Sequence, residues 1–254
     1  MKREELIKEL AEVARAAGAI IMRHYAIATP SRLKSDRSPV TAADEAAEEY
    51  ILAALGRLAP GVPVLAEESA SAGRLPDLSG DVFFVVDPLD GTREFLDRNG
   101  EFTVNIALVE ATCPVAGVVY APALDRLFRG TGASAVEENA QGQRALHVRA
   151  PATGALRAVA SRSHRDPQTE AFLARHAITD VVSAGSSLKF CLLAAGEADV
   201  YPRMGPTMEW DTAAGHAVLL AAGGRVTLED GQTPLAYGKA ADGFRNPNFI
   251  AWAR

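Results

Sequence analysis

The chain has 254 residues, 48% of them apolar and 23% charged, with a net charge of −6: enough for a large core in one or two domains of ordinary globular composition. The negative balance argues against non-specific nucleic-acid binding, which relies on Lys and Arg neutralising phosphates, but not against a phosphate substrate, since bound metal ions invert a local field. Cys113 and Cys191 match no metal-ligand spacing and read as reduced thiols, the start MKREELIKEL carries no apolar signal region, and no 18-residue apolar run occurs, so a soluble cytoplasmic protein with no transmembrane segment is expected.

From Glu4 to Tyr25, Leu6, Ile7, Leu10, Val13, Ala14, Ala17, Ile20 and Ile21 recur at three- and four-residue spacing and predict an amphipathic helix. In the polar loop LKSDRSPVTAAD, Lys34 and Asp36 are free to point inward. Thr41 is a fair N-cap with Asp44 three residues on, opening a helix through Tyr50, Ile51, Ala54, Leu55 and Leu58. Asp44 reads equally well as a complement to the helix dipole or as a neighbour of a metal site. Beyond the Pro60-Gly61 turn, Val62, Val64 and Leu65 form a short strand that ends in Glu67-Glu68, and 69–80, rich in Ser, Gly and Pro, reads as a surface loop.

The stretch VFFVVDPLDGTREFLDRNGE, 82–101, carries the strongest chemistry. The uncharged run Val82–Val86 predicts a strand buried on both faces, and it runs directly into Asp87 and Asp90. Pro88 and Gly91 predict a sharp turn that brings both carboxylates to one side. Two anions there repel unless a cation separates them, and with no His or Cys nearby the cation of choice is a hard one such as Mg²⁺. If the strand before Glu67 lies alongside, a three-carboxylate cluster results. Gly91 and Thr92 offer N–H groups and a hydroxyl as a seat for a phosphate. Taken alone, the same residues also describe a solvated Asp-Gly turn between strands.

Strands are expected at 103–109, 115–120, 127–129, 135–138 and 145–148, clustered as an antiparallel sheet, and the shift at Ala150–Gly154 marks a domain boundary, giving an N-terminal domain 1–152 and a C-terminal domain 153–254. The second half alternates strands (158–161, 181–184, 200–201) with helices (167–176, 187–195), an α/β layer. SRSH, 161–164, and GSSLKF, 185–190, are plausible anion seats, though serine at a helix start is often only a cap. A helix is predicted to start at Asp211 and to end at Gly223 or Gly224, with Asp211 readable as its N-cap.

The motifs LAEES, DPLDGTREF and EWDTAAG, in this order, resemble the metal-site signature of the inositol monophosphatase superfamily of Mg²⁺-dependent, lithium-sensitive phosphatases, across nearly the whole chain. Within it, SPVTAAD, RNGEFTVNIALVE, SRSH, GSSLKFC, ADVYPRMGPT and WDTAAGHAV resemble the CysQ-type 3'(2'),5'-bisphosphate nucleotidases more than inositol monophosphatases. The resemblance implies a layered α-β-α-β-α sandwich, with an α+β N-terminal half, an α/β C-terminal half and the site in the cleft between them. It implies that Glu67, Asp87, the carbonyl of Leu89, Asp90 and Asp211 bind two or three Mg²⁺ ions, with Asp44 beside them. It further implies that Glu67 and Thr92 orient and deprotonate the attacking water, that Gly91 and Thr92 hold the scissile phosphate, that Ser186, Lys189 and Arg203 hold the second phosphate, and that Ser161 and His164 lie near ribose or base. The substrate implied is adenosine 3',5'-bisphosphate, with 3'-phosphoadenylyl sulfate beside it, and the pathway is sulfur metabolism.

An inositol-1-phosphatase or sugar phosphatase on the same fold is the nearest rival, since fold does not fix substrate. A haloacid-dehalogenase-type phosphatase fits poorly, because Asp87 and Asp90 are separated by two residues and lie deep in the chain. An RNA-associated regulatory protein, as some relatives of the superfamily are, fits poorly with an intact acidic motif set and a net charge of −6. The sequence leaves open a homodimer and peripheral attachment at the cytoplasmic face of the membrane, though no basic amphipathic anchor is visible.

Overall fold

The computed structural model describes residues 2–27, 31–33, 39–149, 155–161 and 166–254. Lys34, Asp36, the 150–154 boundary and the Arg162, Ser163 and His164 positions of SRSH lie outside the described residues. Helix α1 (Arg3–Ala26) buries the stripe through Leu6, Ile7, Leu10, Ala14, Ala17 and Ile21 that its spacing demands. β1 (Ser31–Leu33) pairs antiparallel with β2 (Pro39–Thr41), which leads into α2 (Ala42–Leu58). Here Thr41 Oγ1 accepts from Ala43 N at 3.1 Å, while Thr41 N and Oγ1 donate to Asp44 Oδ2 at 2.8 and 2.6 Å, a reciprocal cap that satisfies donors otherwise orphaned at a helix start.

β3 (Val64–Ala66), followed by the short α3 (Glu67–Ser71), then β4 (Val82–Asp90), followed by α4 (Thr92–Leu96), open a sheet of seven strands in sequence order. β5 (Thr103–Glu110), β6 (Cys113–Ala121), β7 (Arg126–Thr131), β8 (Ser134–Asn139) and β9 (Gly142–Ala145) complete it. β3 runs parallel to β4, and every later neighbour is antiparallel. The strand expected at 145–148 is displaced: pairing ends at Ala145, and Leu146 N and Val148 N instead reach Ala135 O and Ala222 O, at 2.8 and 3.0 Å. Leu146 and Val148 alternate because they bury into the core, which a periodicity of two cannot distinguish from sheet pairing.

The second sheet has five strands in the order β11-β10-β12-β16-β14, numbering the strands β10 (Arg157–Ser161), β11 (Asp180–Ala184), β12 (Val200–Arg203), β14 (Arg225–Leu228) and β16 (Phe249–Trp252). Its first three strands are parallel, as strand-helix alternation requires, while β16 lies antiparallel to both β12 and β14. The helices are α5 (Pro167–Arg175), α6 (Leu188–Ala194) and α7 (Ala213–Ala221), and β13 (Thr207–Met208) pairs with β15 (Arg245–Asn246). α7 begins two residues after Asp211, whose side chain accepts from Met208 N at 2.8 Å, so Asp211 is not the N-cap its position suggested.

The stacking is five layers deep. One core joins α1 and α2 to Phe84, Val86 and Ile106 on one face of the large sheet. A second joins Phe83, Val85 and Val119 on its other face to α6 and α7 and to Tyr201 and Phe249 of the small sheet. A third packs α5, through Phe172 and Leu173, on the outer face of the small sheet. Consecutive residues of β4 feed opposite cores, which is why its stretch Phe83–Val86 carries no charge. Among the described residues no helix is long and apolar enough to cross a membrane.

Candidate active site

Asp87 and Asp90 both belong to β4; the backbone does not leave the strand between them. Asp87 is paired with Asn105 and Asp90 with Thr103, so three steps along β4 match two along β5, a bulge. In a regular strand, side chains three apart point to opposite faces. The extra residue cancels that alternation, and Pro88, which has no N–H to donate, sits where the ladder is interrupted. This replaces the expected sharp turn. After Asp90 the chain does turn: Gly91 has φ +92°, and Thr92 starts α4.

β3 lies beside β4 in a register that matches Ala66 with Val86, so Glu67 arrives level with Asp87. Burial pushes Asp87 well above the ordinary carboxylate range; the Glu67 carboxyl beside it raises it further, chiefly through its charge, and the charges of Asp90 and Asp211 add to the shift. Asp90 is also raised by burial, against the pull of Lys189, Ser187 and Asn105. Asp211 is lifted to about 7, first by burial and then by the charge of Asp90. Thus carboxylates at the end of the large sheet and the one just before α7 feel one another inside the protein.

As they stand, no three His, Cys, Asp or Glu side chains among the described residues are gathered tightly enough to hold a metal ion. Asp90 Oδ2 accepts from Ser187 N at 2.6 Å and Asn105 Nδ2 at 3.2 Å, and Asp87 Oδ1 accepts from Leu89 N at 3.0 Å. The donor set nevertheless fits a hard divalent cation: it is all oxygen, and the mutual crowding of these carboxyls, which helps raise Asp87, is what a cation would relieve. Glu67, Asp87, Asp90, Asp211 and the Leu89 carbonyl are the residues that would hold it.

The cleft above has a volume of about 290 Å³. One wall carries Glu67, Asp90, Gly91, Thr92, Arg93 and Glu94, and the other Ser161, Ser186, Lys189, Tyr201, Arg203 and Thr207. Asp44 and Asp87, each 1% exposed, lie beneath its floor. Thr92 Oγ1 donates to Asp44 Oδ1 at 3.1 Å and stands 3.5 Å from the Leu89 carbonyl.

On the second wall the expected residues do different things. Ser186 has φ +42°, and its hydroxyl donates to the Glu101 carbonyl at 2.9 Å. Lys189 is buried rather than a solvated charge: its ammonium donates to Ser186 O at 2.5 Å and lies 3.5 Å from Ala184 O. Burial brings it down to about 8, with Asp90, Glu94 and Asp211 opposing the shift. Arg203 donates from Nη2 to Pro206 O at 3.0 Å, while its Nε is buried without a hydrogen-bond partner among the described residues. Ser161, ending β10, lines the cleft.

Asn105, Ser187, Arg93, Glu94 and Tyr201 were not among the residues expected here. Asn105 had a signal, a lone amide in the apolar run TVNIALVE. Ser187 was one of two adjacent serines with no local cue to choose between them.

A five-layered sandwich with carboxylates massed at the end of a bulged strand, facing cations across a cleft, defines a metal-dependent phosphatase. The chain belongs to the inositol monophosphatase family, whose model matches residues 2–248, and whose members are metal-dependent, generally on Mg²⁺. It is 45% identical over 246 residues to the 3'(2'),5'-bisphosphate nucleotidase CysQ of Salmonella typhimurium, covering 96% of this chain and 98% of that one. The protein of the same name from Escherichia coli K12 is 43% identical over the same shares. Among solved structures, CysQ from Bacteroides thetaiotaomicron, a bacterial member of the inositol monophosphatase family, superposes with a TM-score of 0.81 at 40% identity over 97% of both chains. An inositol monophosphatase from Anabaena gives 0.78 at 28% identity over 100% of this chain and 92% of that one.

Proposed function

We propose that this phosphatase removes the 3'-phosphate of adenosine 3',5'-bisphosphate, giving AMP and phosphate, and acts in the same way on 3'-phosphoadenylyl sulfate. The observation that carries this reading is the two-sided cleft: carboxylates and the Gly91-Thr92 turn on one wall, Lys189 and Arg203 on the other. A substrate with two phosphates needs two seats, and full-length relatives that are 43–45% identical bear the name of bisphosphate nucleotidases.

The Gly91 and Thr92 N–H groups hold the phosphate to be cleaved. With its proton engaged by Asp44, the Thr92 hydroxyl presents lone pairs to a water molecule and aims it at phosphorus. Glu67 takes the proton released as the water oxygen bonds to phosphorus and the bond from phosphorus to the ribose 3'-oxygen breaks; a second water protonates the departing oxygen. Two or three Mg²⁺ ions, when bound by Glu67, Asp87, Leu89 O, Asp90 and Asp211, supply Lewis-acid stabilisation of the charge on the phosphoryl and leaving oxygens. Arg203 receives the 5'-phosphate with help from Lys189 and from Ser186, whose hydroxyl turns from the Glu101 carbonyl to meet it, and Ser161 borders the nucleoside. Residues 1–152 thus form a domain that supplies most of the chemistry, and 153–254 a domain that supplies Asp211 and recognition. The unpaired Cys113 and Cys191 suit a reducing compartment, so we place the reaction in the cytoplasm.

One observation favours an inositol-1-phosphatase instead: Lys189 is already bonded to two backbone carbonyls and is less available to a second phosphate. The test is phosphate release, with Mg²⁺, from adenosine 3',5'-bisphosphate, inositol 1-phosphate and fructose 1,6-bisphosphate. The nucleotide should have the highest kcat/KM by at least an order of magnitude; preference for inositol 1-phosphate would overturn the proposal.

A further inference from the structure

Asp90 and Asp211 reach the cleft from different layers, one at the end of a strand of the large sheet and one before α7, yet a single residue touches both. Ser187 donates its N–H to Asp90 Oδ2 at 2.6 Å and its hydroxyl to the main-chain carbonyl of Asp211 at 2.9 Å. Asn105 spans the same gap from β5, with Nδ2 donating to Ser187 Oγ at 2.9 Å and to Asp90 Oδ2 at 3.2 Å. Its Oδ1 accepts from Thr103 Oγ1 at 2.9 Å, which fixes the amide with its donor end toward the carboxylate. Asn105 and Ser187 are each 1% exposed, so water does not compete for these bonds. Neither carries an oxygen on the cleft surface, and neither has a part in the chemistry above.

We infer that Asn105 and Ser187 form a positioning couple, which holds the carboxylate of Asp90 at a set distance from Asp211 and so determines how tightly the cluster takes a divalent cation. The inference rests on the metal-dependent reading of the site. Its reasoning is geometric: a cation shared by carboxylates from two layers is bound well only if the layers are held at the right separation before it arrives. Groups that orient metal ligands in this way commonly matter about 10- to 100-fold in metal affinity. The couple also holds Asp90 by one oxygen only, and its other oxygen is left for the ion. An ordinary buried network would instead serve only to dock α6 on β5, and would be indifferent to the cation.

The two possibilities separate in the substrate-free protein. Ser187→Ala removes the hydroxyl with little change of volume, and Asn105→Leu removes the amide at similar size. After chelation, each variant and the double variant are titrated with Mg²⁺ while the thermal midpoint is followed by circular dichroism. The expected result is a rise of at least tenfold in the Mg²⁺ concentration that gives half the stabilisation in each single variant, with the double variant no weaker than the worse single one, since the pair acts as a unit. Unchanged half-saturation in Ser187→Ala, whatever the midpoint in chelator, overturns the inference, and so do losses that multiply in the double variant. If Asn105→Leu fails to fold, Ser187→Ala decides alone. A wild-type protein that gains no stability from Mg²⁺ would instead remove the metal-dependent reading itself, and the inference with it.

Discussion

Asp44 serves two elements with its two oxygens: Oδ2 takes the N–H and hydroxyl of Thr41 at 2.8 and 2.6 Å and closes the start of α2, while Oδ1 takes the Thr92 hydroxyl at 3.1 Å. A helix cap and the orientation of a proposed catalytic hydroxyl therefore depend on one buried carboxylate. Thr92→Ala leaves the cap in place and removes only the second task. It should lower kcat by about two orders of magnitude, the usual size of one oriented proton-handling contact, with KM and Mg²⁺-induced stabilisation little changed. Steady-state kinetics beside a thermal titration check this; a change in KM alone would reduce Thr92 to substrate positioning.

Lys189 and Arg203 should not behave alike. Arg203 keeps a buried Nε without a partner among the described residues beside the cleft, so Arg203→Ala should weaken the bisphosphate by roughly 1.5–3 kcal/mol, the range for a charge-assisted hydrogen bond, and scarcely affect a substrate with one phosphate. Lys189 holds the Ser186 carbonyl and offsets the charge of Asp90, so Lys189→Ala should reduce kcat/KM on both substrates. Comparing adenosine 3',5'-bisphosphate with inositol 1-phosphate in both variants is the measurement. Equal losses on both substrates in Arg203→Ala would point back to the inositol phosphatase.

Removing the metal should have a pH signature. Burial and the charge of Asp90 raise the Asp211 carboxyl to about 7, from an ordinary value of 3.8. In the metal-free protein the folded state thus holds a proton that the unfolded chain has released, so this group stabilises the fold at low pH and the contribution is lost as pH rises through about 7. A cation must displace that proton, so Mg²⁺ should bind more tightly, and raise the thermal midpoint further, at about pH 8 than at about pH 6. A midpoint gain independent of pH would contradict the proton-coupled site.

The seam between the layers offers a fourth check. Gly185 donates its N–H to Glu101 Oε2 at 2.7 Å, and a methyl group added at its Cα would come within 2.8 Å of the Glu101 carbonyl. Backbone cannot yield as a long side chain does, so Gly185→Ala should destabilise by roughly 1–3 kcal/mol, in the range of other overpacked sites. It should also disturb Ser186 and Ser187 next to it, and therefore kcat/KM. Urea unfolding with parallel kinetics tests this; a variant of wild-type stability and activity would show that the seam gives way freely.

What the sequence determined by itself is local. The apolar run into Asp87, the Thr41-Asp44 cap, the stripe of α1 and the glycine after Asp90 each follow from residues within a turn or two, where steric preference and periodicity act. The ordered acidic motifs also carried the family, because together they describe one donor set. The bulge that cancels the alternation between Asp87 and Asp90 was not legible, since it exists only as a register between β4 and β5. Nor was the choice of Ser187, whose partners Asn105 and Asp90 lie 82 and 97 residues away. Lys189 reads in the sequence as a free cation opening a helix; only the stacking of α6 between two sheets turns it inward, where burial takes away its water and leaves backbone carbonyls in its place. Tertiary structure decided these points because a buried polar group finds its partner wherever packing brings one, and nothing in the neighbouring sequence records which one that is.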